Sequence, residues 1–236
     1  GGIALITEWW RATQGGGNPS PAMAKALLVN SATPMGAAPI PNDAEGWGLV
    51  NVTNAIEADA PRVLRDQATL LSDTGASFDI AVTVADPSKP LRVTLAWTDA
   101  PGALGADPAL VNDLDLIVAM DGESYRGNSF ADGWSLPGGV SDVRNNIENV
   151  YVQNPGASAV ITIRATAING DGVPYNGDSL DQDFALVCYN CVASTVPAVG
   201  VVVLPAQQRA CQPAGASFQA TAVISVQVKD DRANLI

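Results

Sequence analysis

The strongest constraint on the fold is a period-two alternation of apolar and polar residues that runs from Val63 to Val192. Turns rich in Asp, Gly, Pro and Ser interrupt this alternation, and no helical pattern does. About eight short strands without helices between them predict a mainly β fold, an antiparallel β-sandwich and most economically a jelly roll. The predicted strands are Val63–Leu71, Phe78–Val84, Leu91–Trp97, Leu114–Met120, Ser124–Gly127, Val150–Asn154, Val160–Ile168 and Phe184–Tyr189.

A different pattern precedes the strands. In residues 1–60 the apolar residues recur three to four positions apart, which predicts a first helix up to Gly15, a second from Pro21 to the break at Thr33, and a short third one in 52–58. We therefore divide the chain into a helical segment 1–60, a β domain 61–192, and a segment 193–236 that combines a linker with the start of a further β module.

Composition excludes several classes of function. The formal net charge is −12, so nucleic acids and acidic membranes would be repelled. There is no histidine, so this chain cannot itself provide a Ser-His-Asp triad. Its apolar runs are too short for a membrane span, and it starts without Met or a basic leader, so we expect a fragment of a longer protein. Only three lysines accompany many Asp, Asn and Gly residues, a balance that favours export, and we expect a secreted monomer.

Other motifs favour structural roles. Cys188, Cys191 and Cys211 allow one bridge and one odd thiol, and a local bridge or buried thiols are favoured over redox chemistry because nothing helical flanks Cys188. Gly177–Leu180 spells the G-D-S-L string of a lipase family, but that chemistry needs a histidine base, so we interpret it as a loop. Core packing accounts for most of the tryptophans, and Trp134 is expected to be exposed.

The most informative polar motif is acidic. Asp113 and Asp115 fall on one face of a predicted strand whose other face carries Leu114, Leu116 and Val118. A hard cation with oxygen ligands would neutralise these carboxylates. Alternatively, Asn112 and Asp113 only cap a turn and the remaining acids are solvated. The candidate cation ligands are Asp99, Asn112, Asp113, Asp115, Asp142, Asn146 and Glu148.

Three ordered stretches of the helical segment resemble the subtilisin-like serine proteases. Gly1–Ile6 resembles the helix that follows the nucleophile, residues 18–32 resemble the next, proline-initiated helix, and Gly46–Asn51 resembles the "G-x-G-x-V-N" turn before the last helix of the catalytic domain. Residues 95–102, 110–116 and 144–150 resemble the β-jelly-roll domain of the oxidatively stable alkaline-protease branch of that family. The resemblance covers about residues 1–192.

The resemblance implies a function. Residues 1–60 would be the end of a subtilase catalytic domain, and the chain would belong to a serine endopeptidase whose catalytic Asp, His and Ser, and with them the site for the peptide substrate, lie upstream of Gly1. In that branch the barrel domain binds calcium, which favours the cation interpretation without fixing its ligands. The alternative is a non-catalytic calcium-dependent β-sandwich that acts in adhesion or carbohydrate binding.

Overall fold

Two antiparallel sheets face each other in the computed structural model, which describes residues 1–36 and 38–194. The strands are β1 (Arg62–Leu71), β2 (Ser77–Val84), β3 (Leu91–Ala96), β4 (Asp113–Met120), β5 (Glu123–Ala131), β6 (Trp134–Pro137), β7 (Ile147–Val152), β8 (Ser158–Ala167), β9 (Gln182–Tyr189) and β10 (Cys191–Ala193). The four-stranded sheet has the order β1-β9-β3-β7, and the six-stranded sheet has the order β10-β2-β8-β4-β5-β6. The prediction of a mainly β fold built as an antiparallel sandwich is confirmed.

Alternating side chains of both sheets form the core of the sandwich. Leu114, Leu116 and Val118 of β4 are fully buried there, as their spacing predicts. Trp97 and Phe184 are the largest aromatic side chains in this core. Burial of this kind stabilises a fold by about 25 cal/mol per Å² of apolar surface.

A helical layer covers the outer face of the four-stranded sheet. It consists of α1 (Gly2–Thr13), α2 (Pro21–Asn30) and α3 (Val52–Ile56). Ile6 and Trp10 of α1, together with Met23 and Leu27 of α2, pack in one apolar cluster with small and branched residues of the sheet, among them Ala185. Residues Gly1–Ser194 form one compact unit, and the domain boundary predicted at residue 60 stays a prediction.

Strand β9 is buried on both faces because it lies between the two cores. Phe184, Leu186 and Cys188 contribute to the sandwich core, whereas Ala185 and Val187 contact the helical layer. This double burial explains why the sequence of β9 is a continuous apolar run rather than an alternating one.

Strand β6 corrects one expectation. Ala131 pairs with Trp134 across Asp132 and Gly133, which both have positive φ angles, so a two-residue hairpin turn carries the chain from β5 into β6. Trp134 is therefore half-buried in a strand, and the prediction that it is exposed was wrong. The Asp-Gly pair is a hairpin signal that the sequence contains.

A disulfide joins Cys188 to Cys191 across the turn between β9 and β10, so the local structural bridge is what the structure contains. Both cysteines are fully buried. Cys211 and the predicted segment 193–236, apart from its first two residues, lie outside the described residues. None of the helices in the described part of the chain is long and apolar enough to cross a membrane.

Candidate functional site

Four carboxylates gather where β4 and β7 approach each other, and we call them the acidic cluster. Asp113 and Asp115 stand at the start of β4, Glu148 lies in β7, and Asp142 belongs to the loop before β7. Each sheet of the sandwich therefore contributes to the cluster. Burial raises the pKa of Glu148, and the charges of Asp115, Asp142 and Asp113 add to this effect.

Glu148 is the most enclosed member of the cluster. Its side chain is fully buried, and its Oε2 accepts a hydrogen bond of 2.6 Å from the backbone N–H of Leu116. Its Oε1 is buried and has no hydrogen-bond partner. Burial is the main cause that raises the pKa of Glu148 to about 9, so this buried side chain holds a proton at neutral pH when no cation is bound.

Gly127 of β5 makes room for this carboxylate. A Cβ atom at position 127 would lie 2.6 Å from the Cβ of Glu148 and closer still to its carboxyl group. No side chain fits at that distance. A glycine inside a strand often marks such a close approach, so the position of Gly127 is a signal that the sequence analysis missed.

Asp113 and Asp115 have the same shortage of partners. Burial raises the pKa of Asp113 to about 6, and the charges of Asp115, Asp142 and Asp99 add to this effect. Asp115 is buried, and the hydroxyl of Thr166 donates to its Oδ2. The Oδ1 atoms of both aspartates are buried without a hydrogen-bond partner.

Asp142 is held differently because it accepts many hydrogen bonds. The backbone N–H groups of Arg144 and Asn145 donate to its Oδ1, and the side-chain amides of Asn128 and Asn145 donate to its Oδ2. Burial alone would raise the pKa of Asp142, but these bonds outweigh burial and lower it. This carboxylate therefore stays ionised beside the other three.

Asn128 positions the loop that carries Asp142, and it was not among the residues predicted from the sequence. Its side-chain amide also donates to the carbonyl of Ile147, and its Oδ1 accepts from the N–H of Asn149, 3.0 Å away. Its φ angle is +60°, a conformation that asparagine tolerates better than most residues. Asn128 thus fixes both Asp142 and the strand that carries Glu148.

The other three predicted ligands organise the structure around the cluster. The carboxylate of Asp99 accepts hydrogen bonds from the N–H groups of Ala100, Val111 and Asn112, all within 2.9 Å. Asn112 is fully buried, and its side chain bonds to the segments around Gly170 and Gln182.

Asn146 faces the helical layer instead of the cluster. Its Oδ1 accepts from the ammonium of Lys25 in α2 at 2.7 Å, and its amide donates to the carbonyl of Trp97 at 2.9 Å. It therefore ties α2 to the end of β3. Metal ligation by Asp99, Asn112 and Asn146 stays a prediction.

The arrangement offers oxygen donors without a closed coordination shell. In residues 1–36 and 38–194, no group of three His, Cys, Asp or Glu side chains has the geometry to hold a metal ion. The cluster still contains three buried carboxylate oxygens that lack a partner, on Asp113, Asp115 and Glu148. Unpartnered buried oxygens are rare in folded proteins and call for a proton or a cation.

Comparison with known proteins adds no family. The sequence matches no protein-family model, and no curated protein matches it significantly.

Ser179 of the G-D-S-L string lies in an exposed loop ahead of β9, in agreement with its interpretation as a loop residue.

Proposed function

We propose that this chain is the C-terminal region of a secreted, monomeric, subtilisin-like serine endopeptidase. The observation that carries the proposal is the helical layer. The segments that resemble the family form α1, α2 and the turn before α3 in the expected order, and they cover one face of the sandwich. Ile3 and Leu5 of α1, 45% and 53% exposed, leave an apolar surface on which a larger catalytic domain could pack.

The proposal divides the work between two parts of the protein. Peptide-bond hydrolysis would be carried out by a Ser-His-Asp triad outside these residues, because the chain has no histidine. The peptide substrate would likewise bind at that triad. The helical layer would complete the catalytic domain, and the sandwich would support it through the contacts of α2 with β3 and β9.

We also propose that the acidic cluster binds calcium. The chemistry of the donors suits this ion, which takes about six to eight oxygen ligands, because Asp113, Asp115 and Glu148 each offer a buried oxygen without a partner. The side chains would have to move closer together to coordinate it, since no three of them are placed for a metal ion in the described residues. These three residues, with Asp142 beside them, would hold the ion. Bound calcium would cancel the repulsion among the carboxylates, and that effect is structural rather than catalytic.

The alternative of a carbohydrate-binding module has less support. An aromatic platform for sugars needs several exposed rings on one face. Trp10 and Trp97 are buried, and Trp47 packs edge-on against Phe130 and Tyr151, with ring centroids 5.9 and 6.4 Å away.

The deciding experiment is to sequence the gene upstream of the codon for Gly1. A segment encoding a G-T-S-x-A nucleophile motif, with Asp and His motifs before it, is expected. The joined polypeptide should then be labelled by a fluorophosphonate probe, and a variant with alanine at the nucleophile should not. A further sandwich module upstream, or a joined polypeptide that hydrolyses no peptide, would refute the protease assignment.

A further inference from the structure

A second polar site lies on the opposite side of the four-stranded sheet from the sandwich core. Arg62 of β1 and Arg92 of β3 both pair with Tyr189 of β9, and Arg92 also pairs with Tyr151 of β7. Directly paired residues project from the same face of a sheet. An Arg-Tyr-Arg-Tyr row therefore crosses all four strands on the face that carries the helices.

Both guanidinium groups are held in place by helix ends and aromatic rings. Arg92 donates to the carbonyls of Asn30, the last residue of α2, and of Ala32 just past it, and it stacks on Tyr151, with its Cζ 4.8 Å from the ring centroid. Arg62 donates to the carbonyls of Ala55 and Ile56 in α3, and its Cζ lies 5.1 Å from the ring centroid of Trp9. The two groups are thus oriented before any ligand arrives.

Neither arginine forms an ion pair with an acidic residue in the described part of the chain. The ion pairs in the described part of the chain are Lys89 with Asp59 and Arg144 with Asp107. Among the described residues, the Nε atoms of Arg62 and Arg92 have no hydrogen-bond partner, and neither atom is fully buried. Guanidinium groups with spare, accessible donors are suited to bidentate recognition of an oxyanion.

A cavity of about 260 Å³ opens between these two residues and the ends of α2 and α3. Arg62, Arg92, Tyr189 and Asp59 line it. Asp59 stays ionised and has partners of its own, because its Oδ2 contacts the Lys89 ammonium at 2.9 Å and its Oδ1 accepts from the Tyr189 hydroxyl at 2.7 Å. The two arginines outweigh this one carboxylate, so the site is positively charged, in a chain whose net charge is −12.

We propose that this cavity binds a small carboxylate between Arg62 and Arg92. The volume is just below the roughly 300 Å³ at which drug-sized pockets begin, so the cavity suits a small ligand better than a nucleotide. A monoanion suits the site better than a phosphate dianion because the charged lining residues are two arginines and the ionised Asp59, which leave a small net positive charge. The carboxylate could belong to a free small molecule or to the C-terminus of a peptide. This inference does not depend on the proposed protease function.

The test is titration calorimetry on the whole chain with matched probes. N-acetylalanine should bind, N-acetylalaninamide should not, and inorganic phosphate should bind more weakly than N-acetylalanine. A hexapeptide with a free C-terminus that binds about tenfold tighter than N-acetylalanine would identify a peptide end as the source of the carboxylate. Equal affinity of the two would identify a small free carboxylate.

Variants assign the binding to the two arginines. Arg62→Lys and Arg92→Lys keep the charge but lose the planar fork, so each should weaken binding about tenfold or more. Arg144→Lys is the matched control and should bind as the unaltered protein does. If circular dichroism shows that either variant does not fold, NMR spectra of the unaltered protein provide the test instead. The Nε–Hε signals of Arg62 and Arg92 should then shift when N-acetylalanine is added. Equal binding of acid and amide, tighter binding of phosphate, an equal loss in Arg144→Lys, or unmoved Nε–Hε signals would each overturn the proposal.

Discussion

Asp66 of β1 holds Ser20, the residue that caps α2. The backbone N–H of Ser20 donates to Oδ2 of Asp66 at 2.8 Å, and the Ser20 hydroxyl donates to Oδ1. The same hydroxyl oxygen accepts from the N–H of Met23, so it begins the helix. One carboxylate of the sheet therefore fixes where α2 starts and where the helical layer docks.

Replacing Asp66 by asparagine should loosen this junction. An asparagine has one acceptor oxygen where Ser20 needs two, so Asp66→Asn should lower the free energy of unfolding by about 1–2 kcal/mol. Ser20→Ala should cost about 1 kcal/mol through loss of the cap. Urea unfolding measures both, with Asp43→Asn on the exposed loop as a neutral control. A loss no greater in Asp66→Asn than in the control would contradict the argument.

Gly127→Ala should be severely destabilising because a methyl group there overlaps Glu148. The strand or the carboxylate must move, and overpacking of this kind costs about 1–3 kcal/mol. Gly17→Ala is the matched control, since nothing lies within 4 Å of a Cβ at that position. Thermal unfolding of the two variants gives the comparison, and similar midpoints would show that the strand accommodates the methyl group freely.

Calcium should raise the midpoint of thermal unfolding. Binding to the native state alone stabilises a protein by RT ln(1 + [L]/Kd), about 2.7 kcal/mol at a hundredfold excess over Kd. For a chain of this size the expected rise is about 5–10 °C. Asp113→Ala should abolish most of it, whereas Glu123→Gln, on an exposed glutamate, should leave it intact. An unchanged melting curve after exhaustive dialysis against chelator would refute the calcium proposal.

Glu148 should make the calcium-free protein less stable as pH rises. Its folded-state pKa is raised to about 9 from an ordinary value near 4.5, so the stabilisation from the protonated side chain is fully present below about pH 4.5 and is lost as the pH rises toward 9. Within that window the group alone removes about 1.4 kcal/mol per pH unit.

A neutral isostere separates this effect from metal binding. In chelator at pH 8, Glu148→Gln should be more stable than the unaltered protein, and its stability should depend less on pH. The same variant should lose most of the response to calcium. The control is again Glu123→Gln, and a Glu148→Gln variant with an unchanged pH profile would show that Glu148 does not titrate in this window.

The chain by itself should hydrolyse neither peptides nor esters, because it has no histidine to act as a general base. Fluorogenic peptides and p-nitrophenyl esters measure this directly, with Ser179→Ala as the comparison. Hydrolysis that disappears in that variant would mean that the G-D-S-L string is catalytic after all.

The sequence predicts the fold well where one face of a strand is buried and the other is not. In strand β4, Leu114, Leu116 and Val118 are buried in the sandwich core at every second position, so the strand and its core residues follow from the pattern, although Asp115 on the other face is buried as well. Strand β7 is buried at all six positions, with polar Glu148 and Asn149 among them, and the pattern places its start too late, at Val150. The Thr94 hydroxyl donates to the Asn149 side chain at 2.6 Å. This partner comes from β3, which neighbours β7 in the sheet but is far from it in the sequence, so local periodicity does not predict the contact.

The candidate site, like the fold, is predictable from the sequence only where local alternation determines it. Asp113 and Asp115 were found because they alternate with leucines on one strand. Asn112 and Asn146 have the chemistry of ligands, but their amides are engaged by Gln182 and Lys25, far away in the sequence. The enclosure of Glu148 depends on Gly127, a contact that only the packing of β5 against β7 creates.

The strand order carries a consequence for how the chain acquires its structure. Val63 of β1 pairs with Cys188 of β9, so β1 stays without this pairing strand until more than a hundred further residues have been synthesised. The platform for α1 and α2 does not exist until β9 is inserted between β1 and β3. Until then Trp10 and Leu27 have no partner surface, and during that interval the nascent chain is most vulnerable to aggregation and to chaperone capture.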